Sequence, residues 1–490
     1  MKWNNKPESR PKPGRRIGRA ARGINGWRLY GWLLAGLWLG GWSGPAWGGP
    51  SAECWLTTVE PANRLTRQAQ SLPFAPAIAS PQPTITVDSG RRFQSIDGFG
   101  FALTGGSAQH LAAVSPDKRR ALLGEVFSPA GDGIGVSYLR VSIGASDLNE
   151  RVFSYDDLPE GATDVHLDHF GLSDDRINVL PVLKEILAIN PRLKILGSPW
   201  SAPVWMKSNH HIQGGKLLPA YYPTYAQYFV KYIRSMAAEG VAIDAITVQN
   251  EPFNDGNTPS MQMFPKDESV FIQRYLGPAL RAAGLKTKII LYDHNCDAPE
   301  YPLSILTDRQ TRPFVDGSGF HLYAGRVEAM SAVHDRFPDK NIYFTEMMAV
   351  DRRGFNTAGP VSRIVVGALR NWSRNVILWN LAADAEFKPH TDNGGCAMCQ
   401  GALTITGDQV ERNLAYYVVG QVAKFVPPGS VRIDSTDSQE LPNVAFRTPG
   451  GGTVVVVSNP GPTARQFRLV AAGREVRPEL AAQAVGTYCW

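Results

Sequence analysis

Between residues 95 and 428, short apolar runs alternate with longer stretches in which apolar residues recur every three or four positions. The runs are SIDGFGFAL, VSYLRVSI, LKILGSPW, IDAITVQNEPF, KIILYDHN, SGFHLYAG, NIYFTEMMAV and NVILWNLAAD. Between two of them, PTYAQYFVKYIRSMAAEG sets Tyr225, Phe229, Ile233 and Met236 at helical spacing. Eight strands, each followed by a helical segment, predict an α/β fold, a (β/α)8 TIM barrel over 95–428. Its last helix, ERNLAYYVVGQVAKFV, is stopped by Pro427-Pro428-Gly429. Beyond it, 429–490 runs apolar or alternates between Gly/Pro turns, a β pattern. Residues 53–94, with ECWLTTVE and PTITVDS, also read as strand. A small β-sandwich built from both chain ends and fused to the barrel is therefore predicted.

Charge changes the picture only at the N-terminus. The pI is about 9.0, which invites a nucleic-acid partner, yet residues 1–28 hold nine Lys or Arg against the single acid Glu8. That excess of +8 leaves −2 of the total +6 for the rest of the chain. The basicity is a local label and nucleic acid is not the partner. Residues 29–52 carry no charge, and LYGWLLAGLWLGGW is followed by small residues. A basic region, an apolar region and a small-residue end predict a signal peptide and basic leader at 1–52, hence an exported protein, periplasmic or secreted. A membrane anchor of barely sufficient length is the alternative.

The five cysteines fit an oxidising compartment. Cys54 and Cys489 flank the folded region and would tie its ends together if the first and last strands share a sheet. Cys396 and Cys399, in GGCAMCQG, form a lone CxxC with no second ligand pair nearby, so a loop disulfide is expected rather than zinc. Cys296 is then a small buried hydrophobe.

Barrel enzymes work at the carboxyl ends of their strands, so the polar residues that end each run are the candidates. The fourth run ends in Asn250-Glu251 and the seventh in Glu346. Two carboxylates across one barrel mouth are what glycosidic cleavage needs: one protonates the leaving oxygen and the other attacks the anomeric carbon or activates water. Either glutamate alone would equally suit a salt bridge or a helix cap.

The motifs DGFGFALTGGSA (97–108), LGSPWSAPVWMKSN (196–209), TVQNEPF, GFHLY (319–323), FTEMM, LWNLA (378–382) and YYVVGQVAKFVPPGSVRI (416–433) resemble glycoside hydrolase family 30. The resemblance covers nearly all of the chain after the leader. It implies a retaining enzyme with Glu251 as acid/base and Glu346 as nucleophile, in which the acid stays protonated and the nucleophile ionised. It also implies that Arg140 lies near Glu346 and lowers its pKa, that Asn250 holds the sugar 2-hydroxyl, and that Trp200 and Trp379 contact the sugar. Tyr323 matches a tyrosine near the nucleophile, and His321 suits a supporting hydrogen bond better than catalysis or metal ligation. No cofactor and no metal are called for. Trp205, His210 and His211 read as an exposed loop.

Departures from the family's glucosylceramidases bear on substrate. Gly105 stands where those enzymes carry an aspartate that grips sugar hydroxyls, Leu322 replaces a tryptophan, and the loop 384–401 differs. The expected activity is hydrolysis of β-glucosides of the glucosylceramide type, where a lipid substrate would bring the enzyme to a membrane surface. The alternatives are an endo-β-1,6-glucanase and, in another class, a carbohydrate-binding protein without turnover. The paired glutamates argue against the last.

Overall fold

The computed structural model describes residues 51–351 and 354–490. The predicted leader lies outside them except for its last two residues, which open the strand Ser51–Thr57. The eight apolar runs form eight parallel strands: β1 (Gly98–Leu103), β2 (Tyr138–Ser142), β3 (Lys194–Ser198), β4 (Ala245–Thr247), β5 (Lys288–Cys296), β6 (Val315–Gly325), β7 (Asn341–Glu346) and β8 (Ser373–Asn380). They close into a barrel in sequence order, with β8 pairing β1.

Side-chain alternation decides what fills the interior. Tyr138, Leu196, Ala245, Ile290, Tyr343 and Ile377 pack as one inner cluster, so the barrel is a filled core and not a pore. On β2, Leu139 and Val141 join the large outer core, while Arg140 has the same facing as Tyr138, toward the interior. Gly100 marks the tightest approach of β1 to β2: a Cβ there would lie 2.0 Å from the Tyr138 carbonyl oxygen. The helix Tyr222–Ala238 buries Tyr225, Phe229, Ile233 and Met236, the predicted stripe. The final helix is shorter than predicted, Leu414–Ala423, because Gln409–Arg412 pairs with Leu403–Thr406 as a hairpin.

The sandwich draws on both chain ends. Ser51–Thr57 pairs antiparallel with Ala484–Cys489, which pairs with Thr453–Asn459. Val455, Val457 and Tyr488 point into the sandwich core, whereas Val454, Val456 and Val485 join the barrel core. The end strands do share a sheet, yet this alternation rules out the Cys54–Cys489 disulfide that such sharing would have allowed. Cys54 lies opposite Tyr488 and Cys489 opposite Glu53, so the register is off by one and the two thiols face opposite sides of the sheet. Both are free and buried, and burial pushes the Cys54 thiol up to about 12. Cys396 and Cys399 do form a disulfide, and Cys296 is free and buried.

Candidate active site

The carboxyl ends of β2 to β8 converge on a cavity of about 310 Å³. Its wall includes Glu251, Glu346, Asn250, Trp200, Trp379 and Tyr323, six of the eight residues singled out in the sequence. Arg140 and His321 lie behind that wall, fully buried.

Glu251 follows β4 with a left-handed backbone, φ 46°, a conformation rare for a side chain of this size and common at working sites. Its N–H donates to the Asp293 carbonyl at 3.0 Å, which fixes the turn. Asn254 Nδ2 donates to Oε2 at 2.7 Å, and His321 Nδ1 lies 3.1 Å from Oε1. Across the cavity, Glu346 ends β7. Arg140 Nη1 donates to its Oε2 at 2.5 Å and the Tyr323 hydroxyl to its Oε1 at 3.0 Å. The same His321 Nδ1 lies 3.9 Å from Glu346, so the two carboxylates face one another over a gap shorter than those two distances combined. That bound admits the roughly 5–5.5 Å spacing of retaining enzymes and excludes most of the roughly 6.5–9.5 Å range of inverting ones.

Beneath the pair, Asp293 anchors the cations. Arg140 Nη2 and Thr247 Oγ1 each donate to its Oδ2 at 2.7 Å, and His321 Nε2 meets its Oδ1 at 3.0 Å. Arg140 Nη2 also donates to Asn250 Oδ1 at 2.6 Å, which leaves the Asn250 NH2 as that amide's donor. Trp200 and Trp379 stack with centroids 5.4 Å apart, and the Arg140 guanidinium sits 4.8 Å from the Trp200 ring. The buried Trp200 Nε1–H has no acceptor among the described residues.

The electrostatics of the free site differ from the simple expectation. Burial works against charge on Glu251, yet the hydrogen bond and charge of His321, with His294 Nδ1 3.7 Å away, hold its carboxyl well below the usual range. Burial pushes Glu346 up, and the attraction of His321 and Arg140 only partly offsets it. His321 resists burial because Glu346, Asp293 and Glu251 surround it, and its pKa rises to about 9. His321 Nδ1 thus lies one hydrogen bond from Glu251 on an imidazole whose pKa is raised.

Besides Asn254, further residues missed in the sequence belong to the site. Asp147, seven residues beyond Arg140, enters the pocket; burial and the charges of Glu346 and Glu251 raise it to about 7. Gly105, where the resemblance sets an aspartate in other members, lies on a separate hollow against Asn149, while Asp147 brings a carboxyl to the pocket wall. Leu322 likewise packs in the outer core and not on the pocket wall. Asp293 and His294 end the fifth apolar run, where the rule of polar strand ends would have found them. Trp205 is buried, its indole donating to the Asp156 carbonyl at 3.0 Å, while His210 and His211 are exposed.

Among the described residues, two groups have ligand atoms close enough to hold a metal ion: Glu251, His294 and His321, and Asp156, Asp164 and His169. In the first, His321 is engaged on both ring nitrogens by Glu251 and Asp293, whereas His294 Nδ1 has no hydrogen-bond partner among the described residues.

Residues 96–426 match the Glycosyl hydrolase family 30 TIM-barrel domain and 429–488 the Glycosyl hydrolase family 30 beta sandwich domain. An endo-1,6-beta-D-glucanase of Aspergillus fumigatus is 36% identical over 77% of this chain and 81% of its own length. The lysosomal acid glucosylceramidase of Mus musculus is 27% identical over 76% of this chain and 77% of its own. A solved endo-beta1,6-glucanase superposes with a TM-score of 0.83 at 33% identity, covering 90% of this chain and 99% of that one. With both domains matched and the carboxylate pair framed by its arginine and tyrosine, the chain belongs to glycosyl hydrolase family 30 and is a glycoside hydrolase.

Proposed function

We propose that this chain is an endo-acting β-1,6-glucanase that retains anomeric configuration, with Glu346 as nucleophile and Glu251 as acid/base. The observation that carries the mechanism is the meeting of both carboxylates at His321 Nδ1, at 3.1 and 3.9 Å. The substrate rests on similarity: relatives named endo-1,6-beta-D-glucanase reach 36% identity, those named glucosylceramidase 27–28%. This favours the alternative over the glucosylceramide reading. A 1,6-linkage has an extra torsion, which lets a glucan bend its scissile unit into a short pocket.

In the first step Glu346, oriented by Arg140 and Tyr323, attacks C1 while the leaving oxygen takes the proton shared by Glu251 and His321. In the second, Glu251 takes a proton from water, which displaces Glu346 from C1. The Asn250 NH2, Trp200 Nε1–H and Asp147 carboxyl hold ring hydroxyls, and the indole faces of Trp200 and Trp379 meet the ring. Substrate encounter is with a soluble or wall-bound glucan, and export, as the basic and apolar leader predicts, would deliver the enzyme to it.

Azide tests the roles, because one displacement inverts and two retain. Glu346→Ala with azide and an aryl β-glucoside should yield the α-glucosyl azide; Glu251→Ala should yield the β-azide. The opposite products would exchange the two roles. Incubation with 1,6-linked β-glucan should release a ladder of oligosaccharides; release of glucose from glucosylceramide and none from the glucan would reject the substrate assignment.

A further inference from the structure

The disulfide loop lies against the pocket at three points. Cys396 and Cys399 both line the cavity, and Cys399 clusters with Trp200, Trp379, Leu148 and Ala102. The Cys396 N–H donates to Asp147 Oδ2 at 3.3 Å, and the Thr391 N–H to the Asp147 carbonyl at 2.8 Å. Asn380 Nδ2, at the end of β8, donates to the Cys399 carbonyl at 3.2 Å. The approach to the disulfide has no room for side chains. Gly394, at φ +99°, would place a Cβ 2.2 Å from the Gly256 carbonyl oxygen, and Gly395 one 2.3 Å from that of Thr391. Gly256 belongs to the loop after Glu251, so this segment is packed at once on the acid/base loop and on Asp147.

We propose that the Cys396–Cys399 disulfide is a positioning element of the sugar pocket: it forms part of the wall and holds Asp147 through the Cys396 N–H, and so sets how firmly a sugar ring is gripped. The inference rests on the pocket being the sugar site. Closing a short ring removes the freedom of the Ala397-Met398 bridge, which is exposed, and with it the freedom of the Cys396 amide. Without the S–S bond the amide has no covalent restraint toward Asp147, and the carboxyl loses a donor that opposes its rise on burial. A fixed carboxylate grip lowers the ordering cost of binding.

The test compares the intact chain with Cys396→Ser/Cys399→Ser, with Asp147→Asn and with the triple variant. It reads kcat and KM on an aryl β-glucoside and the Kd of 1-deoxynojirimycin by calorimetry. Loss of the disulfide should raise KM and Kd about ten-fold while changing kcat about two-fold, a split that general loss of structure would not give. The triple variant should be no worse than Asp147→Asn, since both act through one carboxylate. Unchanged KM and Kd, or additive losses in the triple variant, would overturn the inference. If the serine variants fail to fold, a water-soluble phosphine gives the same comparison on folded protein. It reduces the disulfide to two thiols and becomes the phosphine oxide, taking its oxygen from water. A protein that hydrolyses no β-glucoside yet binds the inhibitor, more weakly once reduced, would reject the proposed function and keep this inference; one that does neither overturns both.

Discussion

At the scale of single residues, the site is a buried charge cluster in which every member is held by another. Asp293 is the member that no substrate touches, and Arg140 and His321 depend on it. Asp293→Ala should cost about 3–5 kcal/mol, because it leaves two buried cations short of a partner; a thermal melt of the variant reads this loss. Tyr323→Phe removes one hydroxyl from the Glu346 carboxylate, a bond of roughly 1.5–3 kcal/mol. Steady-state kinetics should show kcat reduced about ten- to a hundred-fold, a conversion of that energy. His321 links pH to both stability and rate. Its folded pKa of about 9 lies above the ordinary 6.5, so its contribution to stability is complete below about 6.5 and lost as pH rises through about 9. The alkaline limb of kcat should fall over the same upper range as the shared proton leaves, and a pH–rate profile run beside pH-dependent melts checks both. These residues were partly legible in the sequence. Glu251 and Glu346 stand at the ends of apolar runs, where barrel chemistry is expected, and Arg140 was marked by the family resemblance. Asp147 stands five residues beyond the end of β2, in a stretch with no periodicity to place it, so only the return of its loop to the pocket reveals it.

At the scale of elements, facing and close approach decide what the strands can do. A one-residue offset between Ser51–Thr57 and Ala484–Cys489 separates two cysteines that an end-to-end reading would join. Alkylation of the denatured, unreduced chain should therefore label three thiols, Cys54, Cys296 and Cys489, and leave Cys396 and Cys399 unlabelled until reduction. Gly100 is required for the approach of β1 to β2. Gly100→Ala would drive a methyl group into the Tyr138 carbonyl, and the barrel cannot widen there without breaking its ladder. Its loss should exceed the common ~1 kcal/mol of a point mutation and show as poor soluble yield or a clear drop in Tm.

At the scale of the whole molecule, barrel and sandwich share one core. Val444, Phe446, Val454, Val456 and Val485 from the sandwich sit in the same apolar cluster as the barrel's outer layer. Polar ties cross the same junction: Arg370 donates to the Asn443 and Ser435 carbonyls at 2.6 and 2.9 Å, and the Thr487 hydroxyl to the Gln421 carbonyl at 2.7 Å. An interface this apolar couples the two parts, unlike the more polar contacts between independently moving domains. Calorimetry should show barrel and sandwich melting in a single transition, and a chain cut after residue 428 should fail to give soluble barrel.

The sequence by itself determined the barrel, the sandwich from both ends and the placing of the paired glutamates, because each is written locally: strand runs in apolar character, helices in spacing, pocket residues in the polar residue that ends a run. Tertiary structure alone decided what depends on register and on distant loops. It set which face each cysteine takes, which acid reaches the pocket, and how His321 lies between Glu251 and Glu346. Those outcomes turn on a strand offset, the return of a loop and the summed field of buried charges, quantities that belong to positions in space and not to neighbours along the chain.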